Sequence, residues 1–391
     1  MTKVNSFRKS GGNIKTYQIL TNLNCNLACK YCYENKCNKV NNIESIKTYL
    51  TALYERDYGI KYEDEELPCV MIDVIGGESF LYPELLDEMC EHLLYLTKMY
   101  EVGGDFVVNI TTNGTLLTTK PVQDFIMKWR SHLAIGLSID GTKKIHDTAR
   151  VYPNGAGSYD KAVAGWGWLK HILPPCRTGV KATYCHDTIN NYGDGVINLI
   201  KLGFTDIGAN VIFEEIWTEE DTVIIYEQMK KVVDYIVDNK LEKTVHIFQL
   251  NNKELDIANY QPNTGPKDKN HCGSCTHMLC LGFDNKLYGC NRFCTMENPI
   301  PLGELINGKI KIHNTQLIDE IANQYNHWHE DCKKCGIGQQ CPSCSVIPYE
   351  KYPDNPMQFF REKPQCGFTT AMVAARVYFS RRLLTCKDNI V

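Results

Sequence analysis

Three cysteines, Cys25, Cys29 and Cys32, stand in "TNLNCNLACKYCYE" (21–34), with three residues between the first pair and two between the second. Thiolates bind iron and zinc, and a set of three leaves one position of the metal centre without a protein ligand. A purely electron-carrying [4Fe–4S] cluster normally has four cysteines, so an open iron points to a bound small molecule and to catalysis. Taken alone, the loop also suits a zinc ion or scattered free thiols. A second set lies late in the chain: Cys272, Cys275 and Cys290, then Cys332, Cys335, Cys341 and Cys344 in "CKKCGIGQQCPSC", then Cys366. Eight thiolates make two four-cysteine sites, and their CxxC pairs suit zinc as well as iron.

The bulk composition supports metal chemistry. The 391 residues carry nineteen cysteines and no apolar secretory segment in "MTKVNSFRKSGGN", so a cytoplasmic enzyme with metal-binding thiols is expected rather than a disulfide framework. No run approaches the roughly 18 apolar residues of a membrane span. A net charge of −4 lacks the excess of Lys and Arg that nucleic acid would demand, so neither membrane nor nucleic acid is an expected partner.

The elements that must position the thiols follow from periodicity. Short apolar runs read as strands at 17–21, 69–75, 105–111, 133–139, 179–185 and 206–212, and helical spacing separates them, most clearly over 43–58, 83–100 and 219–239. Continuous apolar strands alternating with helices predict a parallel sheet covered on both faces, here an α/β fold with a partial (β/α)6 barrel of the TIM type. Ligands then sit at the C-terminal ends of the strands, where Cys25 to Cys32 fall. The Asn-, Pro- and Lys-rich stretch 250–270 reads as a linker between a barrel of residues 1–249 and a small cysteine-rich domain of 271–391, which ends in a helix around 369–384. Eleven of the nineteen cysteines lie beyond residue 270, as expected of a domain too small to rely on its core. The acidic run 62–67 reads as a solvated loop.

The CxxxCxxC spacing with Tyr31 before the last cysteine resembles the signature of the radical S-adenosylmethionine (SAM) enzymes. Further marks follow the successive strands: Gly76, Gly77 and Glu78, then Asn113 in "TTNGT", then Ser138 and Asp140 in "LSIDG", then Arg150. Each alone is an ordinary strand-end turn or surface side chain. The resemblance implies that Gly76–Glu78 meet the methionine amino group of SAM, that Ser138 and Asp140 lie near its ribose, and that Arg150 pairs with its carboxylate. Tyr31 and Asn113 are included in the same cofactor site, while His146 and Asp147 read as structural. The implied chemistry is reductive cleavage of SAM to a 5′-deoxyadenosyl radical, which removes a hydrogen atom from a substrate.

The later cysteines resemble the SPASM extension of that family, which holds two auxiliary [4Fe–4S] clusters. By that likeness Cys272, Cys275, Cys290 and Cys344 hold one, and Cys332, Cys335, Cys341 and Cys366 hold the other. Three departures stand out. Asn285 replaces a usual glycine five residues before Cys290, an exchange that Asn tolerates because it reaches positive φ. Cys341 and Cys344 have two residues between them where three are usual, and Cys280 competes as a ligand. Cys294 is unassigned, open to a role as a further ligand or substrate contact and most simply a plain buried residue, and Cys37, Cys69, Cys90, Cys176, Cys185 and Cys386 read as core or surface residues. In the sulfatase-maturating members an aspartate after the Cys290 position acts as base; here it is Asn291, which accepts no proton at neutral pH.

These readings lead to a radical SAM oxidoreductase that modifies a peptide or protein side chain, for instance by a thioether or carbon–carbon crosslink, with a ferredoxin- or flavodoxin-type reductant. The alternatives are a sulfatase-type maturase or small-molecule dehydrogenase on the same scaffold, and a non-catalytic zinc-binding interaction protein.

Overall fold

A computed structural model describes residues 16–58, 70–100, 106–251, 272–275, 278–360 and 365–388. Cys69, the acidic run 62–67 and the expected linker from residue 252 onward lie outside the described residues.

The expected strands form with small shifts: β1 Thr16–Asn22, β2 Met71–Gly76, β3 Val107–Thr112, β4 Leu133–Ser138, β5 Thr178–Tyr184 and β6 Asp206–Val211. They pair in parallel in chain order, and β7 His246–Ile247 adds to β6. Helices cover the outside. In α1, Ile43–Tyr58, the buried residues Ile46, Tyr49, Leu50, Leu53 and Tyr54 recur at helical spacing. In α2, Pro83–Met99, proline sets the first turn and Leu86, Met89, Cys90, Leu93 and Leu96 turn inward. Each such side chain stabilises the fold by about 1.5–3 kcal/mol when fully buried.

The strands alternate, in contrast to the continuous apolar pattern expected of them. Ile72 and Val74, Val108 and Ile110, Ile135 and Leu137, and Val180 and Ala182 are buried against the helices. Asp73, Asn109, Ser138 and Lys181, between them, face the other side and keep some exposure. The inner face is therefore polar and partly open, unlike the layers of branched side chains that fill a closed barrel.

The cysteine-rich segment contributes strands that its sequence does not announce. β8 Met278–Leu281 pairs in parallel with the free edge of β1, and β9 Lys286–Tyr288, β10 Pro301–Ile306 and β11 Lys309–Ile312 continue it antiparallel. One eleven-stranded sheet results. At the far side the helix Cys366–Asp388 lies along the helix Glu219–Asp238, held by Tyr378 on Asp234 (2.7 Å) and Arg382 on Asp238 (2.6 Å). Gly367 permits that approach: its N–H donates to Trp217 O at 2.8 Å, and a Cβ there would lie 1.8 Å from Thr218 O. Among the described residues no helix is long and apolar enough to cross a membrane.

Candidate active site

The loop that carries Cys25, Cys29 and Cys32 leaves β1 at Asn22, which places it at the C-terminal end of the sheet. Backbone bonds from Gly77 N to Asn22 O (2.9 Å) and from Glu78 N to Asn24 O (2.8 Å) fasten its start to the end of β2. A Cβ on Gly77 would fall 2.1 Å from Asn24 O, and one on Gly76 2.5 Å from Asn22 Oδ1. The two glycines therefore bring the thiol loop against β2. Glu78 is buried, and its carboxylate accepts from Phe80 N (3.2 Å), Thr112 Oγ1 (2.8 Å) and Asn113 N (2.8 Å). Its side chain organises the turn after β3, and Asn113 carries the link onward through Nδ2 to Asn26 Oδ1 at 2.8 Å, 4.0 Å from Cys25 Sγ.

The other flank of the loop rests on the helix Lys143–Ala149. Ala28 N donates to Val151 O (2.7 Å) and Lys30 N to Ala149 O (3.0 Å). Tyr31 donates its hydroxyl to Asp140, and Arg150 Nε donates to the same carboxylate oxygen at 3.0 Å. The guanidinium lies 5.3 Å from the centre of the Tyr31 ring, within cation–π range. The second oxygen of Asp140 accepts Thr183 N at 2.9 Å. Asp140 N donates to His146 Nδ1 (3.3 Å), His146 Nε2 meets Ser158 Oγ (2.9 Å), and Ser158 donates to Arg150 O (2.8 Å). That chain makes His146 neutral with its proton on Nε2, and burial lowers its pKa to about 4. The structural reading of His146 holds, as does that of Asp147, which accepts Tyr159 N at 3.0 Å.

The three thiols lie close enough for Cys29 to feel Cys32 and for Cys25 to feel Cys29. Burial raises the pKa of Cys25 and Cys29; the Leu27 N–H, 3.4 Å from Cys25 Sγ, opposes the first shift, and Arg150 and Lys36 oppose the second. Tyr31, Asn113, Asp140 and Arg150 are thus brought to one place with the thiols, whereas Ser138 stands at the end of β4 facing the sheet's inner side. Small residues keep the inner face uncrowded: a Cβ on Gly136 would meet nothing nearer than 4.0 Å and one on Gly208 nothing nearer than 3.9 Å.

The later cysteines fall into two neighbourhoods that share Cys344. Cys275 feels Cys290 and Cys272, Cys290 feels Cys344, and Cys344 feels Cys272, so these four thiols close a ring. Burial raises Cys275 to about 12 and Cys290 to about 11. Cys332, Cys341, Cys344 and Cys366 line one cavity with Phe213, Phe359 and Phe360. Cys335 follows Cys332 in a tight turn, with its N–H on Cys332 O at 3.3 Å. Cys280 is buried in β8, and its nearest electrostatic neighbour among the thiols is Cys294. Asn285 adopts φ +58°, as its replacement of glycine requires. Among the described residues no three Cys, His, Asp or Glu side chains converge tightly enough to hold a single metal ion. Four of the thiols line one shared cavity, and soft thiolate donors in such a number fit an iron–sulfur cluster.

In sequence and fold the chain resembles the radical SAM enzymes with a SPASM-type auxiliary region. No protein-family model matches the chain. It is 24% identical over 345 residues to a serine-type anaerobic sulfatase-maturating enzyme of Bacteroides thetaiotaomicron, covering 83% of this chain and 78% of that protein. Over 139 residues it is 31% identical to a cysteine-type anaerobic sulfatase-maturating enzyme of Clostridium novyi, 35% of each protein. Among solved structures, native anSMEcpe with bound AdoMet and a Cp18Cys peptide superposes with a TM-score of 0.68 at 17% identity, over 96% of this chain and 99% of that one. Streptococcus suis SuiB bound to its precursor peptide SuiA gives 0.54 at 13% identity, over 90% and 76%. These superpositions show the fold.

What the sequence reading missed is the polar inner row of Gln18, Asp73 and Asn109 with Lys181 nearby. Its signal was present, since a charged or amide residue in the middle of an apolar strand marks a face that something polar must meet.

Proposed function

We propose that this chain is a radical SAM enzyme that binds one [4Fe–4S] cluster through Cys25, Cys29 and Cys32, two auxiliary clusters through the eight later cysteines, and modifies a side chain of a peptide or protein. The observation that carries the reading is the fastening of a three-thiol loop, from both sides, to strand ends that also bring Asp140, Arg150 and Tyr31 beside it. When bound, the cluster and SAM supply an electron and a carbon-centred radical able to remove hydrogen.

The protein's part is placement. Glu78 and Asn113 fix the loop's start, and the Tyr31–Asp140–Arg150 group fixes its end. Arg150 keeps guanidinium N–H groups beyond the one donated to Asp140, and these suit a carboxylate. The polar inner face of the sheet, where Gly136 and Gly208 keep side chains out of the way, is the place at which we infer that an extended substrate meets the reacting carbon. Anaerobic reconstitution with iron and sulfide, then dithionite and SAM, is expected to give a brown protein that forms 5′-deoxyadenosine and methionine. A colourless protein that binds zinc and leaves SAM intact would overturn this reading.

Sulfatase maturation is the second reading, and the two maturating relatives favour it. Against it stands Asn291, whose amide donates towards Tyr33 OH (3.1 Å) and Glu34 Oε1 (3.3 Å) and offers no base. Mass spectrometry of a co-expressed sulfatase peptide, read for oxidation of its serine or cysteine, decides between them.

A further inference from the structure

Gln18, Asp73 and Asn109 are direct register partners across β1, β2 and β3, so their side chains form one lateral row on the inner face. Asn109 Nδ2 donates to Asp73 Oδ1 at 2.7 Å. Gln18 accepts Asn291 N at 3.0 Å through Oε1, which turns its amide nitrogen towards Asp73. The carboxylate is thus held by two amides. Burial raises its pKa, opposed by Asn109, by Lys181 and by Gln18. Lys181 sits on β5 in register with Ser138 of β4, exposed on the same inner side.

A barrel interior that only needed filling would carry Val, Ile or Leu at these positions. A half-buried carboxylate in that place is costly unless it has partners, and Asp73 keeps partial exposure on the inner side. The facing ammonium makes the pair neutral overall. An anionic or cationic guest is attracted by one member and repelled by the other, whereas an uncharged group with both a donor and an acceptor gains from both.

We propose that Asp73 and Lys181 are the specificity-determining residues of the inner cleft, and that they select a substrate residue whose side chain is uncharged and both donates and accepts hydrogen bonds: a hydroxyl or a carboxamide. Asp73 accepts the guest's O–H or N–H and Lys181 donates to its oxygen. Gln18 is the positioning residue, which ties Asp73 to the backbone just after Cys290.

This inference rests on the peptide-modifying reading, and its test reads binding rather than turnover so that the two can fail separately. The probes are two pairs of fluorescein-labelled synthetic peptides, one differing only in a central serine or alanine, the other in asparagine or leucine. Anisotropy titrations of the reconstituted protein with SAM present are expected to show the polar member of each pair binding about 10-fold or more tightly. In Asp73→Asn and in Lys181→Met that ratio is expected to fall towards one. Where Asp73→Asn does not fold, Lys181→Met carries the same comparison. Equal binding of polar and apolar peptides by the wild-type protein, or a ratio that survives both substitutions, overturns the assignment. Loss of SAM cleavage in the wild-type protein, by contrast, would sink the proposed activity and leave the binding ratio readable.

Discussion

The two cysteine regions hold their thiols by different means. The loop of Cys25, Cys29 and Cys32 is gripped by the barrel: Gly77, Glu78 and Asn113 at one end, the helix Lys143–Ala149 and Asp140 at the other, all through backbone or at least partly buried side-chain bonds. The thiol-bearing part of the later region has short strands and single-turn helices, a left-handed Cys275 (φ +63°), and thiols held by local backbone N–H groups and by one another. In the first region the protein chain alone arranges the thiols that we propose as ligands. In the second, metal binding is expected to supply more of the folding free energy, as in small metal-stapled domains.

The largest effects test that contrast directly. Cys25→Ala, Cys29→Ala or Cys32→Ala is expected to lower 5′-deoxyadenosine formation by at least about a thousandfold, equivalent to roughly 4 kcal/mol, while the melting temperature stays close to wild type. Cys290→Ala and Cys344→Ala are expected to do the opposite in stability: chelation or substitution makes the segment around residues 272–366 the first site of proteolysis, with residues of the barrel protected. Calorimetry and limited proteolysis on the same samples check both halves. Equal destabilisation by the two sets of substitutions would erase the distinction.

Next in size is the ion pair that closes the first region. Asp140 is 1% exposed and Arg150 9%, so Arg150→Met strands a buried carboxylate. Breaking a buried pair by removing one partner typically costs about 3–5 kcal/mol. The bonds from Tyr31 and Thr183 N survive, which sets the expectation at about 3 kcal/mol in urea unfolding. A loss under about 1 kcal/mol would mean that Arg150 serves the ligand and not the loop. Arg150→Lys is expected to recover part of the loss, because an ammonium keeps the charge but not the planar contact over Tyr31.

The sequence made the first region more legible than the second, for a physical reason. Long apolar strands and amphipathic helices have a period, and α1 was readable to its boundaries over 43–58. The motif residues after each strand were legible because the chain must place them at one end of a parallel sheet. β8 to β11 were not legible: strands of three to six residues, interrupted by Cys280, Gly303 and Pro301, are too short to show alternation. That β8 docks on β1 is a long-range pairing that no local pattern encodes. The thiol grouping was legible only through the family likeness, since eight cysteines in series allow many partitions. The inner polar row was misread because Asp73 and Asn109 were absorbed into runs judged continuous, although each interrupts the apolar sequence on alternate positions.

The smallest effect is a pH dependence confined to the support of the first region. His146 is fully buried and neutral, with a pKa lowered to about 4 mainly by burial and by Arg150, against the opposing pull of Asp140. In the unfolded chain the same group titrates near 6.5. Between those values the unfolded chain takes up a proton that the folded one refuses, so stability is complete above about pH 6.5 and declines as the pH falls towards 4. A displacement of that size is worth at most about 3 kcal/mol, and relaxation of the loop at low pH brings the expectation to roughly 2 kcal/mol. Gln at this position can accept from Asp140 N and donate to Ser158 Oγ without titrating. Urea unfolding at pH 7 and at pH 4.5 is therefore expected to show a steeper loss in the wild-type protein than in His146→Gln, with the difference absent at pH 7.5. Parallel curves for the two proteins would show that His146 gains its proton without disturbing Asp140, and that the grip on the three-thiol loop does not depend on this neutral imidazole.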